Sequence, residues 1–236
     1  MSQGSNNSRF SLDTRTIACT GMLCAVAYVV MYLSKTIFAG MAVAGFLKFD
    51  LKDVVIAIGG FLFGPLNVVC VSAVVSLIEM LTVSGTGPWG LLMNIISTCS
   101  FLCPAAYLYK RNRNFRWAVL GLVIGGILMV GTMMLWNYLI TPLYMTTASG
   151  DLVSRETVAK MLPTVFLPFN LTKGLMNGAL TIALYKPVVM ALRKARLVPE
   201  SNHVSGNSAR NWAITLTALF LAATSVFLGL VLAGVI

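Results

Sequence analysis

The sequence has few charged residues and almost no histidine, the residue on which many metal sites and acid–base catalysts depend. Only 10% of its 236 residues are charged, against about 25% in an ordinary soluble domain, and its one histidine is His203. It contains no HExxH, GxSxG or GxxxxGK[ST] motif and no pair of carboxylates inside an apolar segment. We therefore expect no catalytic residues and no enzyme activity. Any uphill transport would need an ATP-driven motor on another chain.

Apolar sequence is what the chain has in abundance, since 58% of its residues are hydrophobic. Runs of about 20 apolar residues cross the hydrocarbon core as helices, and the alternating pattern of a membrane barrel is absent. The sequence therefore predicts an all-α integral membrane protein. The predicted spans are residues 17–38, 51–63, 65–83, 89–109, 117–140, 163–192 and 212–236.

The second predicted span is short, and glycines at 59, 60 and 64 followed by Pro65 predict a tight turn into the third. The predicted organisation has four parts: a cytoplasmic N-terminal tail, residues 1–16; a six-helix membrane domain, residues 17–196; a linker, residues 197–210; and an additional seventh transmembrane helix, residues 211–236. The seventh helix has three open interpretations: a lipid-facing appendage, a contact for a partner, or a helix that alters motion.

Lysine and arginine cluster before the first span, between the fourth and fifth, and after the sixth. These residues are Arg9, Arg15, Lys110, Arg111, Arg113, Arg116, Lys186, Arg193, Lys194, Arg196 and Arg210. Because cytoplasmic loops retain positive charge, this distribution predicts a cytoplasmic N-terminus. The loops on the other side are nearly neutral, with lysines and Arg155 offset by acidic residues. We therefore interpret the net charge of +10 as a signal of topology and not of nucleic-acid binding.

The five cysteines all fall within predicted spans: Cys19, Cys24, Cys70, Cys99 and Cys103. Cys99 and Cys103 are one helical turn apart, but a metal site would need further ligands, and His203 lies in a polar segment. We interpret the cysteines as small buried hydrophobes and predict no metal site.

Asn170, Lys173 and Asn177 share one stripe of the sixth predicted span. Asn137, near the outer end of the fifth, lies at a similar depth. Amides and an ammonium group would together bind a neutral ligand rich in carbonyls, ring nitrogens and hydroxyls. The alternative is that they hydrogen-bond neighbouring helices. We favour a binding site for Asn170 and Lys173, and a helix contact for Asn177.

Other segments are consistent with a covered pocket. The segment AGMAVAGFLKFDLK, residues 39–52, is apolar although it lies outside the long spans, so it either covers a ligand or rests at the lipid interface. Asn94 lies a turn inside the fourth span, and Trp89 is either a pocket residue or an interface anchor. Glu79 either pairs with Lys173 or extends toward the interface from the outer end of its helix, and we favour the second.

Five motifs carry a resemblance to a known family. FLKFDLKDV, GGFLFGPL, GLLMN, NYLITPLY and PFNLTKG, in this order over about residues 15 to 195, resemble the riboflavin-specific substrate-binding (S) components of energy-coupling factor (ECF) vitamin transporters. The resemblance implies a six-helix S-component bundle in the bacterial cell membrane that binds riboflavin from outside as its transported ligand, with no cofactor. That family ends near the basic cluster before residue 197, so the seventh helix is additional.

The resemblance also assigns residues. Asn137, Asn170 and Lys173 match flavin-contacting positions, Asn94 is a further candidate, and the loop residues Phe46, Leu47 and Lys48 are candidates for the lid. Gly21 and Ala25 match the small residues on the first helix that dock the transmembrane coupling protein. That protein works with two ABC-type ATPases. Two alternatives remain: an S component for another vitamin such as pantothenate, folate or a thiamine precursor, or a self-sufficient secondary transporter using Glu79 and Lys173.

Overall fold

The computed structural model describes residues 14–39, 42, 43, 45, 47–146, 150–194, 220, 222–227, 229 and 231. It confirms the predicted all-α architecture. The helices are α1 Thr14–Ile37, α2 Lys52–Phe63, α3 Pro65–Thr82, α4 Gly87–Asn112, α5 Phe115–Tyr144, α6 Arg155–Met161 and α7 Leu167–Lys194, with a π-helical segment, Leu162–Phe166, joining α6 to α7. Five segments are long and apolar enough to cross a membrane: Thr16–Ile37, Pro65–Thr82, Gly87–Asn112, Phe115–Tyr144 and Arg155–Ala191.

Helix α2 is short and lies inside the bundle, running from the buried Lys52 to its C-cap residue Gly64, beside Lys110 at the end of α4. Its 12 residues extend about 18 Å at the helical rise, well short of the ~30 Å hydrocarbon core, and nine of them are buried. The predicted turn into α3 is present: Gly64 has φ +98° and Pro65 begins the next helix. A Cβ atom on Gly60 would lie 2.5 Å from Val68 Cγ2, so the glycines allow α2 and α3 to pack closely.

Helices α4 and α5 approach each other nearly to backbone contact. A Cβ atom on Gly121 would lie 2.7 Å from Ala105 Cα, and one on Gly125 would lie 1.8 Å from the Phe101 carbonyl oxygen. Glycines four residues apart let helix backbones pack this closely in a membrane. The close approach fixes the centre of the bundle.

The sixth predicted span begins earlier than expected. Proline favours the first turn of a helix, so Pro163 was the expected start. Instead, Ser154 caps α6 by accepting a hydrogen bond from the Thr157 backbone N–H at 3.2 Å. Pro163 lies within the π-helical segment and Pro168 just after it. Since proline has no N–H to donate, the regular hydrogen-bonding pattern is interrupted here without ending the helix.

The interpretation of the cysteines as buried is wrong for most of them. Only Cys19 is buried, Cys70 is exposed, and Cys24, Cys99 and Cys103 are half-buried. In a membrane a thiol on the outer surface of a helix faces lipid, which is as apolar as the interior. Hydrophobicity alone therefore does not place a cysteine inside the bundle.

The described residues near the C-terminus are helical, in agreement with the predicted seventh helix. Residues 220, 222–227, 229 and 231 are all in α-helical conformation. The linker, residues 197–210, and the tail before residue 14 lie outside the described residues. Residues 14–16 already belong to α1.

Candidate substrate-binding site

A cavity of about 250 Å³ opens among the ends of the helices, near the lower end of the range of small-molecule sites. It lies where α1, α3 and α5 end and where α2, α4 and α7 begin. We call this part of the bundle the cavity half and the remainder the opposite half. The lining residues are Lys35, Gly45, Leu47, Lys48, Asp50, Glu79, Val83, Ser84, Gly85, Thr86, Gly90, Met93, Asn94, Ser97, Met133, Asn137, Tyr144, Phe169, Asn170 and Lys173.

Six of the seven substrate-binding residues predicted from sequence line this one cavity. They come from the loop after α1, from α4, α5 and α7, and are Leu47, Lys48, Asn94, Asn137, Asn170 and Lys173. The seventh, Phe46, lies outside the described residues. Trp89 is half-exposed and does not line the cavity, which agrees with its interpretation as an interface anchor.

Two buried asparagine amides are held in fixed orientations. Asn137 Nδ2 donates to the Met133 carbonyl at 2.7 Å, and its Oδ1 accepts from Thr141 Oγ1 at 3.1 Å. Asn170 Nδ2 donates to the carbonyl of Phe166, the last residue of the π-helical segment, at 2.8 Å. An amide held by one N–H still has its second N–H and a carbonyl lone pair with which to bind a ligand.

Glu79 is fully buried and accepts from three side chains. Lys52 Nζ lies 2.7 Å from Oε2, Asn94 Nδ2 donates to Oε1 at 2.9 Å, and Lys35 Nζ also contacts Oε1. The favoured expectation that Glu79 extends toward the interface is therefore wrong, and Lys173 is not its partner either. A buried carboxylate requires cations and hydrogen-bond donors around it, and lysines from α1 and α2 supply the charge.

Lys173 contacts two other carboxylates. Its Nζ lies 3.4 Å from Asp50 Oδ2 and 3.9 Å from Asp53 Oδ2. Lys52 Nζ lies 3.6 Å from the same Asp50 oxygen, and Thr98 Oγ1 donates to Asp53 Oδ1 at 2.7 Å. Burial raises the pKa of the Asp50 carboxyl, but Lys173 and Lys52 more than offset this effect and hold the pKa below its usual range.

These contacts form one buried ion network of three lysines and three acids: Lys35, Lys52, Lys173, Asp50, Asp53 and Glu79. Their formal charges cancel. From sequence, the lysines and acids on this side were expected only to offset one another in loops, whereas Lys52 and Asp53 are the first two residues of α2 and are fully buried. A signal was available in LKFDLKD, where lysine and aspartate recur beside apolar residues in a chain with little charge.

The loop between α1 and α2 packs on the bundle. Val43 and Leu47 exchange backbone hydrogen bonds across a turn at Gly45, which has φ +79°. The Phe49 ring is buried with its centroid 4.7 Å from that of Phe169 on α7. The described residues of this loop therefore form one wall of the cavity.

Asn177 fastens the end of this loop to α7. Its Nδ2 donates to the carbonyl oxygens of Asp50 and Lys173, both at 3.1 Å, and it does not line the cavity. The predicted contact with a neighbouring helix is not what these two bonds form, since Asp50 lies in the loop before α2 and Lys173 belongs to α7 itself. Elsewhere, Gly21 and Ala25 lie on an exposed face of α1, and a Cβ atom on Gly21 would meet no atom within 4 Å.

Comparisons with known proteins place the chain among transport components. Residues 15–185 match the family "ECF transporter, substrate-specific component". Riboflavin transporter RibU of Streptococcus thermophilus is 31% identical over 189 residues, covering 78% of this chain and 88% of that protein. Riboflavin transporter RibU of Staphylococcus aureus is 29% identical, covering 77% and 94%. Riboflavin transporter FmnP of Bacillus subtilis is 27% identical, covering 70% and 87%.

The fold leads to the same family. A solved structure of the S component of a bacterial ECF transporter superposes with a TM-score of 0.61 at 26% identity, covering 76% of this chain and 98% of that one. This family consists of membrane transport components and is not a class of enzymes. The apolar helices make the protein a multi-pass membrane protein. The chain therefore belongs to the family of substrate-specific components of ECF transporters.

Proposed function

We propose that this protein is the riboflavin-binding subunit of an ATP-driven ECF transporter for vitamin uptake. In this proposal residues 17–196 capture riboflavin from outside the cell and deliver it together with a transmembrane coupling protein and two ABC-type ATPases. The observation that carries the proposal is the convergence of Asn94, Asn137, Asn170 and Lys173 on one cavity, in a chain whose similar proteins are named riboflavin transporters.

The chemistry of the cavity suits a neutral, flat, polar-edged ligand. Riboflavin presents carbonyls, ring nitrogens and hydroxyls, which are the groups that amides and an ammonium group bind. Met93, Met133 and Phe169 supply soft or aromatic surface for the flat ring system. Since the charges of the buried ion network cancel, the site does not require a charged ligand.

Charge at the other end of the bundle supports the proposed orientation. Lys110 and Arg111 lie in the last turn of α4, at the end of the bundle away from the cavity. Because basic residues mark the cytoplasmic side, a cytoplasmic N-terminus in the bacterial cell membrane would open the cavity to the outside. A ligand taken up from outside would then enter directly.

The exposed face around Gly21 and Ala25 is the proposed contact for the coupling protein. Small residues four positions apart let another helix approach closely, and both residues are exposed. The ATPases belong to other chains in this proposal because the sequence has no phosphate-binding motif. The number of two follows from the family resemblance.

The test is a titration of the detergent-purified protein with riboflavin, in which flavin fluorescence is the measured signal. We expect saturable quenching at nanomolar to low micromolar ligand, and no displacement by excess pantothenate, folate or thiamine. If riboflavin fluorescence is not quenched, or if one of the other vitamins displaces riboflavin, the proposal is contradicted. Riboflavin uptake into proteoliposomes containing this chain alone, driven by an ion gradient, would instead identify a secondary transporter.

A further inference from the structure

The helix near the C-terminus has a buried face and an exposed face. Ala222, Ser225 and Gly229 are buried, whereas Phe220, Ala223, Phe227 and Val231 are exposed. Buried positions separated by three and four residues are the pattern of a helix that packs on one side. The helix therefore lies against the rest of the protein, and it follows the region that matches the family, residues 15–185.

The surface on which it packs is an apolar cluster formed by two regions. Val226 packs against a cluster of four buried residues: Val43 and Phe49 from the loop after α1, and Phe169 and Met176 from α7. We call these four residues the loop–α7 cluster. The cluster joins the loop to the helix that carries Asn170 and Lys173.

The loop–α7 cluster adjoins the substrate cavity. Phe169 is a member of the cluster and also lines the cavity, and Leu47 both packs against the cluster and lines the cavity. If the loop moved away from the cavity, Phe49 would have to leave Phe169, whose ring centroid is 4.7 Å away. Any contact that stabilises the cluster therefore opposes that movement.

We propose that the inward face of the C-terminal helix positions the loop that forms the cavity wall by packing on the loop–α7 cluster. It stabilises the closed arrangement of the loop and so slows the release of substrate. This inference rests on the proposed function for the identity of the substrate. Among the three interpretations of the C-terminal helix, it favours the one in which the helix alters motion, here the motion of the loop. The exposed face at Gly21 and Ala25 remains available for a coupling protein.

The experiment compares an inward with an outward substitution of the same kind in the full-length chain. Ala222 is buried at 6% exposure and the adjacent Ala223 is exposed, so Ala222→Trp overpacks the contact with the bundle and Ala223→Trp adds bulk on the other face. We expect Ala222→Trp to raise the rate of riboflavin dissociation, measured by stopped-flow fluorescence, by roughly threefold or more, with a smaller change in association. Ala223→Trp should match the wild type.

A milder pair guards against a variant that does not fold. Val226→Ala removes packing from the contact with the cluster, and Val231→Ala makes the same change at a position that is 46% exposed. We expect faster dissociation for Val226→Ala only. Equal dissociation rates for the wild type and both inward variants would overturn the proposal.

Hydrogen exchange in the absence of ligand separates this proposal from the proposed function. The inward variants should speed amide exchange at Val43 and Leu47, whose N–H groups are bonded to each other's carbonyls at 2.9 and 3.0 Å, and the outward variants should not. If the wild type fails to bind riboflavin, the proposed function is wrong and the exchange rates still decide whether the helix holds the loop. Unchanged exchange in both inward variants would contradict the inference itself.

Discussion

The two halves of the bundle are built from different contacts. In the cavity half, three lysines and three acids form an ion network, and four of these six residues line a space of about 250 Å³ together with asparagines. In the opposite half, Gly121 brings α5 onto α4, and the rings of Phe61, Tyr109 and Tyr185 pack with centroids 4.9 to 5.7 Å apart. One half is polar and partly hollow, and the other is apolar and tightly packed.

This difference separates binding from stability. Buried ion pairs add little net stability because desolvation offsets their attraction, so the network is better explained by the cavity that four of its six members line. Close helix packing, by contrast, is a main source of stability inside a membrane. We therefore expect substitutions in the cavity half that keep the charges of the network balanced to change chiefly ligand affinity, and substitutions in the opposite half to change chiefly thermal stability.

The largest expected effect is that of Lys173→Met. The substitution removes an ammonium group that lines the cavity, and it leaves Asp50 and Asp53 without a cation that lies 3.4 and 3.9 Å from them. We expect riboflavin affinity, measured by fluorescence titration, to fall by ~100-fold or more, about 3 kcal/mol. Lys160→Met, at a side chain that is 76% exposed, should change nothing.

A second substitution divides this effect into its two causes. Asp53→Asn in the Lys173→Met background restores the balance of formal charge in the network. Lys173→Met alone leaves uncompensated carboxylates buried and should lower the thermal stability. The thermal stability should recover in the double variant while riboflavin affinity stays low. If affinity recovers as well, Lys173 acts only by neutralising the carboxylates, and the two halves differ less than proposed.

In the opposite half, Gly121→Ala should have the next largest effect. The added Cβ atom would lie 2.7 Å from Ala105 Cα, and backbone atoms cannot move aside cheaply. We expect a loss of about 2 kcal/mol in stability, seen as a lower melting temperature in detergent, with riboflavin affinity retained by the folded fraction. Gly131→Ala, where the added atom meets nothing within 4 Å, is the control, and an equal loss there would refute the packing argument.

Asn137→Ala tests a single hydrogen-bonding group of the cavity. Its amide is oriented by Met133 and Thr141, so its loss removes one well-placed partner of the ligand. We expect affinity for riboflavin to fall by ~10-fold, about 1.4 kcal/mol. Asn112→Ala, at the exposed end of α4, provides the comparison, and unchanged affinity for Asn137→Ala would mean that the ligand sits elsewhere.

Single polar residues inside a span could be predicted from sequence, whereas contacts between distant segments could not. Asn137, Asn170 and Lys173 were identifiable because polar residues inside a membrane span are rare and usually have a role. The ion network was not identifiable, because Lys35 and Lys52 meet Glu79, and Asp53 meets Lys173, only after distant segments fold together. Local signals also misled where two possible helix starts compete. Pro163 is compatible with the first turn of a helix, but Ser154 caps α6 earlier in the chain, and the helix begins there.

Tyr109→Phe in the opposite half should have a smaller effect than the other substitutions, and it tests directly whether binding and stability are separate. The Tyr109 hydroxyl forms a hydrogen bond with the Tyr185 hydroxyl. The two rings pack edge to face with their centroids 5.7 Å apart. Removing one hydroxyl keeps the ring packing and deletes one hydrogen bond, so we expect a loss of about 1 kcal/mol in thermal stability. Tyr107→Phe, at a side chain that is 56% exposed, should leave the melting temperature unchanged. Neither substitution should alter the affinity for riboflavin, because both side chains lie outside the cavity. A change in affinity for Tyr109→Phe would show that packing in the opposite half is coupled to the site, and that binding and stability are not divided between the two halves.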